Sequence, residues 1–269
     1  MHKIRYLYIL VILVLTSLPC HAVLSQQETV DTLTVRPNVS QSFLINHVAN
    51  PDAIAVLFAG YGGYLDITAE GIQQPTQNFL VRTRTLFTAN KIMTVVVDTP
   101  SDHAGIDGIL GWRDSATHAN DLQTIIQHLR KKYQRPIWLV GTSRGTISAA
   151  NAASRLSPNL VEGLVLTSTV VEPGGRNPGY IGDVNLDRIS QPVLIVHHED
   201  DDCVVCDFYS AKRLPGQFKQ AKNVGFKSYT GGLPAQSGSC GPLSEHGFLG
   251  LEENVIAYIS QWIKDNTTK

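Results

Sequence analysis

The stretch PIWLVGTSRGTISAANAA, residues 136–153, carries the clearest structural signal in the sequence. It starts with an apolar run over 137–140, breaks at GTSRG over 141–145, and continues as a series of small residues. A short apolar run bounded by glycine is typical of a buried strand, and glycine suits a tight turn. The segment therefore predicts a strand that passes through a sharp turn, with Ser143 at its tip, into a helix packed closely on a sheet.

Short apolar runs and longer amphipathic segments alternate on both sides of this stretch. The alternation is typical of a largely parallel sheet, and central strands that are apolar on both faces need helices on both sides. The predicted strands are 29–35, 41–47, 53–58, 93–97, 137–140, 163–167, 193–197 and 225–229. The predicted helices are 76–89, 115–132, 143–155, 206–214 and 247–265. We expect an α/β fold with a mostly parallel eight-stranded sheet, and the segment 168–191 is too short to form a cap domain.

Composition places the chain among single globular domains. It has 269 residues, of which 43% are apolar, and a formal net charge of -1. A chain of this length can bury a full core, and it lacks the basic excess that nucleic-acid binding requires. We therefore expect no nucleic-acid partner.

The first 22 residues have the layout of a secretory signal peptide. Basic residues precede an apolar stretch over about 6–18, and small residues stand at Cys20 and Ala22. A retained anchor is the alternative, but this stretch is shorter than the roughly 20 residues that span a bilayer. A lipid-anchored Cys20 is a second alternative, which Pro19 disfavours. We expect cleavage after Ala22, one domain over 23–269, a periplasmic or secreted location and no stable membrane anchor.

Cleavage would leave three cysteines, Cys203, Cys206 and Cys240. An exported protein can form disulfides, and an odd number leaves one thiol unpaired in the monomer. The spacing of Cys203 and Cys206 also fits a redox motif, although its place late in the chain does not. Zinc would need further ligands at regular spacing, and none occur nearby. A structural disulfide is the favoured interpretation, and no metal is expected.

Ser143 could act as a nucleophile only with help. A serine hydroxyl is weakly nucleophilic until a base removes its proton and a third group orients that base. The five-residue pattern is common enough to occur by chance, and a serine in such a turn can also simply cap a helix. The strand before Ser143 and the small-residue helix after it favour the catalytic interpretation.

With this context the chain resembles the α/β-hydrolase superfamily, specifically its small cap-free members of the dienelactone-hydrolase and esterase kind, over about 28–265. The resemblance implies the chain order serine, acid, histidine. The acid follows the strand 193–197, where Asp200, Asp201 and Asp202 compete. The family's strand–Gly-x-x-Asp spacing selects Asp201, with His198 departing from the glycine.

The same resemblance assigns the base and the oxyanion donors. His246, in His-Gly-Phe before the last helix, matches the closing histidine of the family. The amide of Arg144 and that of Tyr61 would hold the oxyanion, with Gly62 as the alternative to Tyr61. Ala59 replaces the family's histidine in that second turn.

The cysteines gain a place from these assignments. A Cys203–Cys240 bond would join the loop that carries Asp201, the acid loop, to the loop that carries His246, the histidine loop. Cys206 is the alternative partner for Cys240, and we prefer Cys203 because Cys206 falls inside the predicted helix 206–214.

The implied activity is hydrolysis of a small-molecule ester through an acyl-enzyme, without a cofactor. Thioester, lactone and peptide substrates use the same machinery, and a non-catalytic binding protein on this fold is an alternative of another class. We expect the loops 64–74, 102–113 and 173–183 to form the pocket walls. Tyr64, Trp112 and Tyr180 could contact substrate or serve in packing. His103 is a further candidate for the pocket, whereas His197 and His198 would end a strand.

Overall fold

A computed structural model describes residues 27–74, 76–174 and 178–267. Within them eight strands form one sheet: β1 (Glu28–Arg36), β2 (Val39–Asn46), β3 (Ala53–Phe58), β4 (Ile92–Pro100), β5 (Ile137–Thr142), β6 (Gly163–Thr167), β7 (Val193–His198) and β8 (Val224–Tyr229). Their order in the sheet is β1-β2-β4-β3-β5-β6-β7-β8. The predicted signal peptide lies outside the described residues.

The sheet is parallel except at one edge. β1 pairs with β2, and β2 with β4, in antiparallel fashion, whereas the other neighbours are parallel. Every residue of β3, β4, β5, β6 and β7 is buried. Strands buried on both faces need covering layers on both sides. The prediction of a mostly parallel eight-stranded sheet is confirmed.

Helices cover the two faces in separate groups. The helices are α1 (Phe79–Ala89), α2 (Ala116–Tyr133), α3 (Gly145–Arg155), α4 (Phe208–Arg213) and α5 (Glu252–Asn266). Apolar residues of α2, α3 and α4 join one core, with alternate side chains of β3 such as Ile54 and Val56. Residues of α1 and α5 join the other core, with Ala55 and Leu57 of the same strand. The period of two along β3 thus feeds both layers.

All five helices begin later than the sequence predicts, α2 by one residue because Ser115 is its cap. α1 begins at Phe79 rather than at residue 76, after Asn78, whose side chain accepts a hydrogen bond from the amide of Leu80. α4 begins at Phe208 rather than at Cys206, after the similar cap Asp207. A cap residue has non-helical backbone angles, so the helix can start only after it.

The other two late starts come from residues in the left-handed region. Ser143 has φ +52°, and α3 begins two residues later at Gly145. Phe248 has φ +55° and Gly250 has φ +81°, which delays α5 from 247 to Glu252. Non-glycine residues pay a steric cost in this region, so sequence propensity does not predict them there.

The described part of the chain contains no cap domain. The segment between β6 and β7 contains only two short 3-10 turns, Ile181–Asp183 and Leu186–Arg188, among its described residues. A small hairpin, Ile67–Thr68 with Gly71–Ile72, follows β3. None of the described helices has the length and apolar character needed to cross a membrane.

Candidate active site

Ser143 stands at the carboxyl end of β5, near the centre of the sheet. The turn around it is tight: a Cβ added to Gly141 would lie 2.4 Å from the carbonyl oxygen of Gly145. A Cβ added to Gly145 would lie 2.1 Å from the carbonyl oxygen of Phe58, at the end of β3. Both glycines are therefore required by close backbone approach, and Ser143 takes the strained left-handed conformation between them.

Asp201 lies in the loop that follows β7, and its carboxylate is buried. One oxygen, Oδ2, accepts a hydrogen bond of 2.9 Å from Nδ1 of His246, and the other accepts one of 3.0 Å from the amide of Cys203. The side chain of Asp201 is 0% exposed, whereas that of Asp200 is 72% exposed and Asp202 is also exposed. Of the three candidate aspartates, Asp201 is the one placed against His246.

His198, which replaces the glycine expected before the acid, cross-links two loops. Its Nδ1 accepts a hydrogen bond from the amide of Asp200 at 3.1 Å, so its proton is on Nε2. Nε2 donates to the carbonyl of Gly231 at 2.9 Å, in the loop after β8. The ring is buried, and it fixes the acid loop where a glycine could not.

His246 lies in a short 3-10 turn, Glu245–Gly247, ahead of α5. Its amide donates to the hydroxyl of Ser244 at 3.2 Å, and its carbonyl accepts from the hydroxyl of Ser168 at 2.7 Å. Ser168 is buried, has φ +45° and directly follows β6. Sequence reasoning missed Ser168, although its place at the carboxyl end of the strand beside β5 is a usable signal.

Ser143 and His246 line the same cavity, of about 270 Å³. Its other lining residues are Gly60, Tyr61, Asn78, Phe79, Thr142, Cys240, Pro242 and Gly247. An adjoining cavity of about 290 Å³ shares Gly60 and Tyr61, and is closed by Gly63, Tyr64, Leu65, Gln74 and Ile106. None of these described lining residues is an Asp, Glu, Lys or Arg.

The walls of the cavity differ from the predicted ones. Tyr64, Gln74 and Ile106, from the predicted loops 64–74 and 102–113, line only the adjoining cavity. The described part of 173–183, including Tyr180, lines neither cavity.

Trp112 and His103 are involved in packing rather than in the site. Their rings stack with centroids 4.2 Å apart, and Trp112 also contacts His118. His197, at the end of β7 as expected, is fully buried, and burial lowers its pKa.

The two amides proposed for the oxyanion border Ser143. A Cβ added to Gly60 would lie 3.1 Å from Cβ of Ser143, which places the Gly60–Tyr61 turn against the serine. Tyr61 has φ +50°. Within the described chain neither the Tyr61 amide nor the Arg144 amide donates a hydrogen bond. Gly62, the alternative donor, packs instead on the 106–109 segment, where its carbonyl accepts from Ile109 at 2.9 Å.

Cys203 and Cys240 form a disulfide that joins the acid loop to the loop carrying His246. Cys206 is a buried free thiol, and burial raises its pKa well above the ordinary value. The prediction that Cys206 falls inside a helix is wrong, because α4 begins only at Phe208. A redox motif would require a bond between Cys203 and Cys206, but Cys203 is bonded to Cys240 instead.

Comparison with known proteins identifies the fold. No protein-family model matches this sequence, and no curated protein sequence matches it. Among solved structures, a dienelactone hydrolase from Anabaena variabilis superposes with a TM-score of 0.63 and 14% identity, covering 90% of this chain and 99% of that one. An esterase from Pyrococcus furiosus gives 0.65 and 13%, covering 91% and 93%.

A third similar structure is a cold-adapted esterase from an Arctic intertidal metagenomic library, in a complex with polyethylene glycol. It gives a TM-score of 0.62 and 15% identity, covering 91% of this chain and 96% of that one. Such low identity over nearly whole chains shows a shared architecture, and function must be argued from the site.

Proposed function

We propose that this chain, which has the α/β-hydrolase fold, hydrolyses carboxylic esters through an acyl-enzyme. Ser143 is the nucleophile, His246 the general base and Asp201 the acid that orients it. The proposal rests above all on the buried 2.9 Å hydrogen bond between His246 and Asp201, which fixes the ring at the wall of the cavity that Ser143 also lines. A third group orienting a base beside a strained serine is the arrangement that activates a hydroxyl.

The hydrogen bond between His246 and Asp201 supports one direction of proton transfer. Nδ1 of His246 donates to Asp201, so Nε2 carries the lone pair that accepts the proton of Ser143. Among the described residues no hydrogen bond joins the Ser143 hydroxyl to the ring, and such contacts commonly tighten only when substrate binds. His246 then protonates the leaving alcohol, and water attacks the acyl-enzyme by the same route in reverse.

The oxyanion would be held by the amides of Tyr61 and Arg144. Preorganised backbone donors are worth several kcal/mol because they need no reorganisation when charge develops. Both amides are unpaired within the described chain, as such a role requires.

The walls of the cavities favour uncharged ester substrates. Among the described residues that line the two cavities there is no Asp, Glu, Lys or Arg. A substrate carboxylate would lose hydration there without gaining a counter-charge. We expect p-nitrophenyl butyrate to be hydrolysed with a kcat/KM at least about tenfold above that of mono-p-nitrophenyl succinate. Equal rates for the two esters would remove this substrate preference.

Replacement of Ser143 tests the activity directly. Ser143→Ala should abolish hydrolysis of p-nitrophenyl butyrate and covalent labelling by a fluorophosphonate probe. Ser157→Ala, at an exposed serine just beyond the C-terminal end of α3, is the matched control and should behave as the parent. A parent that folds but neither labels nor hydrolyses esters, thioesters or lactones would favour the alternative of a non-catalytic binding protein.

The pH dependence gives a second test. Protonated His246 cannot accept the serine proton, so activity should fall on acidification. A rate that stays flat from about pH 5 to 9 would contradict the mechanism.

Export is part of the proposal. A disulfide is compatible with an oxidising compartment. Intact-mass measurement on protein recovered from outside the cytoplasm should show a chain that starts at Val23, after cleavage at Ala22.

A further inference from the structure

Arg113 is a buried cation that has no carboxylate among its hydrogen-bond partners in the described chain. The residue is 3% exposed. Burial lowers the pKa of Arg113 to about 9, so the guanidinium stays charged at neutral pH. A buried charge that bonds no carboxylate is costly to folding. Its presence therefore calls for a role that a neutral side chain could not fill.

The guanidinium sits directly beneath the turn that carries Tyr61. Nη2 donates to the carbonyls of Ala59 at 3.0 Å and Tyr61 at 2.8 Å, and lies 3.5 Å from the carbonyl of Gly60. Three successive carbonyls thus converge on one nitrogen. The same Gly60 carbonyl also accepts from the amide of Gly63 at 3.1 Å.

The geometry of the peptide bond converts this contact into an orientation. In a trans peptide the N–H points away from the carbonyl of the preceding residue, and the described chain has no cis bond. Because the Gly60 carbonyl faces Arg113, the Tyr61 amide must point to the opposite side of the turn. Gly60 packs against Ser143 on the cavity wall, so that side borders the serine. A donor on the carbonyl also polarises the amide and strengthens it as a donor.

The rest of the surroundings hold Arg113 in this position. Nη1 donates to the hydroxyl of Ser148 at 2.7 Å, and Ser148 also bonds Nε2 of His118 at 3.0 Å. The carbonyl of Arg113 accepts from Nδ2 of Asn151 at 3.0 Å. A Cβ added to Gly63 would come within 2.7 Å of Nη2, so only glycine leaves room for the guanidinium.

We propose that Arg113 is a positioning residue for oxyanion stabilisation: it holds the Tyr61 amide toward the Ser143 cavity, and its positive charge favours the negative tetrahedral intermediate. The inference rests on the proposed function. It extends that function from the two amides to the residue that orients one of them. A fixed charge in a dry interior acts on developing charge without reorganisation.

Arg113→Met removes the charge and the donors while keeping much of the volume. We expect kcat per fluorophosphonate-titrated site to fall at least about tenfold, and at most by the roughly 10²–10³-fold that loss of an oxyanion donor costs. KM should stay near the parent value, because the ground-state ester carries no negative charge there. Affinity for a trifluoromethyl ketone, which forms a charged tetrahedral adduct with the serine, should fall by the same factor as kcat/KM.

Arg84→Met is the matched control. Arg84 also bonds a backbone carbonyl, that of Val81 at 2.7 Å, but on α1 and outside the lining of the cavity. Its variant should keep the parent kcat and adduct affinity. Should Arg113→Met fail to fold, Arg113→Lys takes its place, since lysine keeps the charge but loses the fork that spans Ser148 and the turn. Its kcat should fall with KM unchanged.

The outcomes separate this inference from the proposed function. A parent that neither labels at Ser143 nor forms the ketone adduct overturns both. A parent that reacts normally, with an Arg113 variant of unchanged kcat, overturns the role of Arg113 alone. A folded variant that loses kcat but keeps the parent's adduct affinity also overturns that role, because the loss then lies outside oxyanion stabilisation.

Discussion

Asp201 can be separated from its neighbours by single substitutions. Its carboxylate is buried against His246, whereas Asp200 and Asp202 face solvent. Asp201→Asn should lower kcat by about 10⁴-fold, because an amide there favours the wrong histidine tautomer. Asp200→Asn and Asp202→Asn are the controls, and kcat on p-nitrophenyl butyrate is the measurement. A large loss in either control, or none in Asp201→Asn, would contradict the assignment.

His118 should make the protein sensitive to acid. Burial, helped by the nearby charge of Arg113, lowers its pKa from 6.5 to about 3. Between those two values the unfolded chain binds a proton that the folded one refuses, so stability falls as pH drops below 6.5 and the loss ends near 3. The slope for one such group is about 1.4 kcal/mol per pH unit.

His118→Gln removes this titration while keeping a partner for Ser148. Urea unfolding at pH 7, 6 and 5 should show a smaller loss of unfolding free energy in the variant than in the parent. Parallel pH profiles for the two proteins would mean that His118 is not the group responsible.

Individual catalytic residues can be predicted from the sequence where their order along the chain is known. Ser143, Asp201 and His246 could be chosen because the family resemblance orders them along the chain. Arg113 could not, and for Ser168 the sequence shows only that it follows the strand beside β5, because its partner, the carbonyl of His246, is 78 positions away. Nothing in a single sequence pairs a serine after one strand with a carbonyl near the end of the chain.

Among the elements, the junction of β5 and α3 tolerates no added atom. Gly145→Ala would place a Cβ 2.1 Å from the Phe58 carbonyl, so backbone must move. We expect loss of more than about 3 kcal/mol of stability, in the range of severe overpacking, together with loss of activity as Ser143 shifts. Gly216→Ala, where nothing lies within 4 Å, is the control and should unfold like the parent. Thermal melts compare the two, and equal melting temperatures would contradict the expectation.

The disulfide should support both stability and activity. It closes a loop with a sequence separation of 37, which corresponds to about 3–4 kcal/mol of stabilisation in the chain-entropy estimate. The double variant Cys203→Ser/Cys240→Ser avoids a new bond with Cys206. It should unfold at lower urea and lose kcat, because Asp201 accepts from the amide of Cys203. An unchanged kcat would mean that His198 and its bond to Gly231 hold the acid loop unaided.

Element types were more predictable than element ends. Every predicted strand and helix exists, because hydrophobic periodicity survives in the sequence. The predicted helix starts were too early where a residue with non-helical backbone angles precedes the helix, as Phe248 does with φ +55°. A phenylalanine in that conformation is held by packing around its ring, including Phe79 at 5.0 Å. Tertiary contact of this kind has no local sequence signal.

For the whole molecule, alternation of strand and helix was sufficient to predict the layered fold. It was not sufficient to predict how cavities form, because these depend on which loops meet at one edge of the sheet. Tyr61 follows β3 and Ile106 follows β4, and both border the adjoining cavity. The predicted segment 173–183 follows β6 and, where described, contributes to neither cavity.

The direction of β1 decides how the molecule can be attached to a surface. β1 is antiparallel to β2, and β2 is antiparallel to β4, so β1 runs parallel to β4. Glu28, the first residue of β1, therefore lies level with the start of β4. Ser143 lies on the opposite side of the sheet, where the parallel strands end, because it directly follows the last residue of β5. A linker joined before residue 27 would therefore leave the molecule on the side away from the cavity.

Protein immobilised on beads through that end should keep a kcat/KM for a soluble ester close to that of the free protein. Protein fixed through a cysteine introduced at Leu233, an exposed residue of the histidine loop, should lose most of it. Equal losses for the two attachments would contradict this orientation. The start of β1 is thus an attachment point that leaves the cavity open to the solvent.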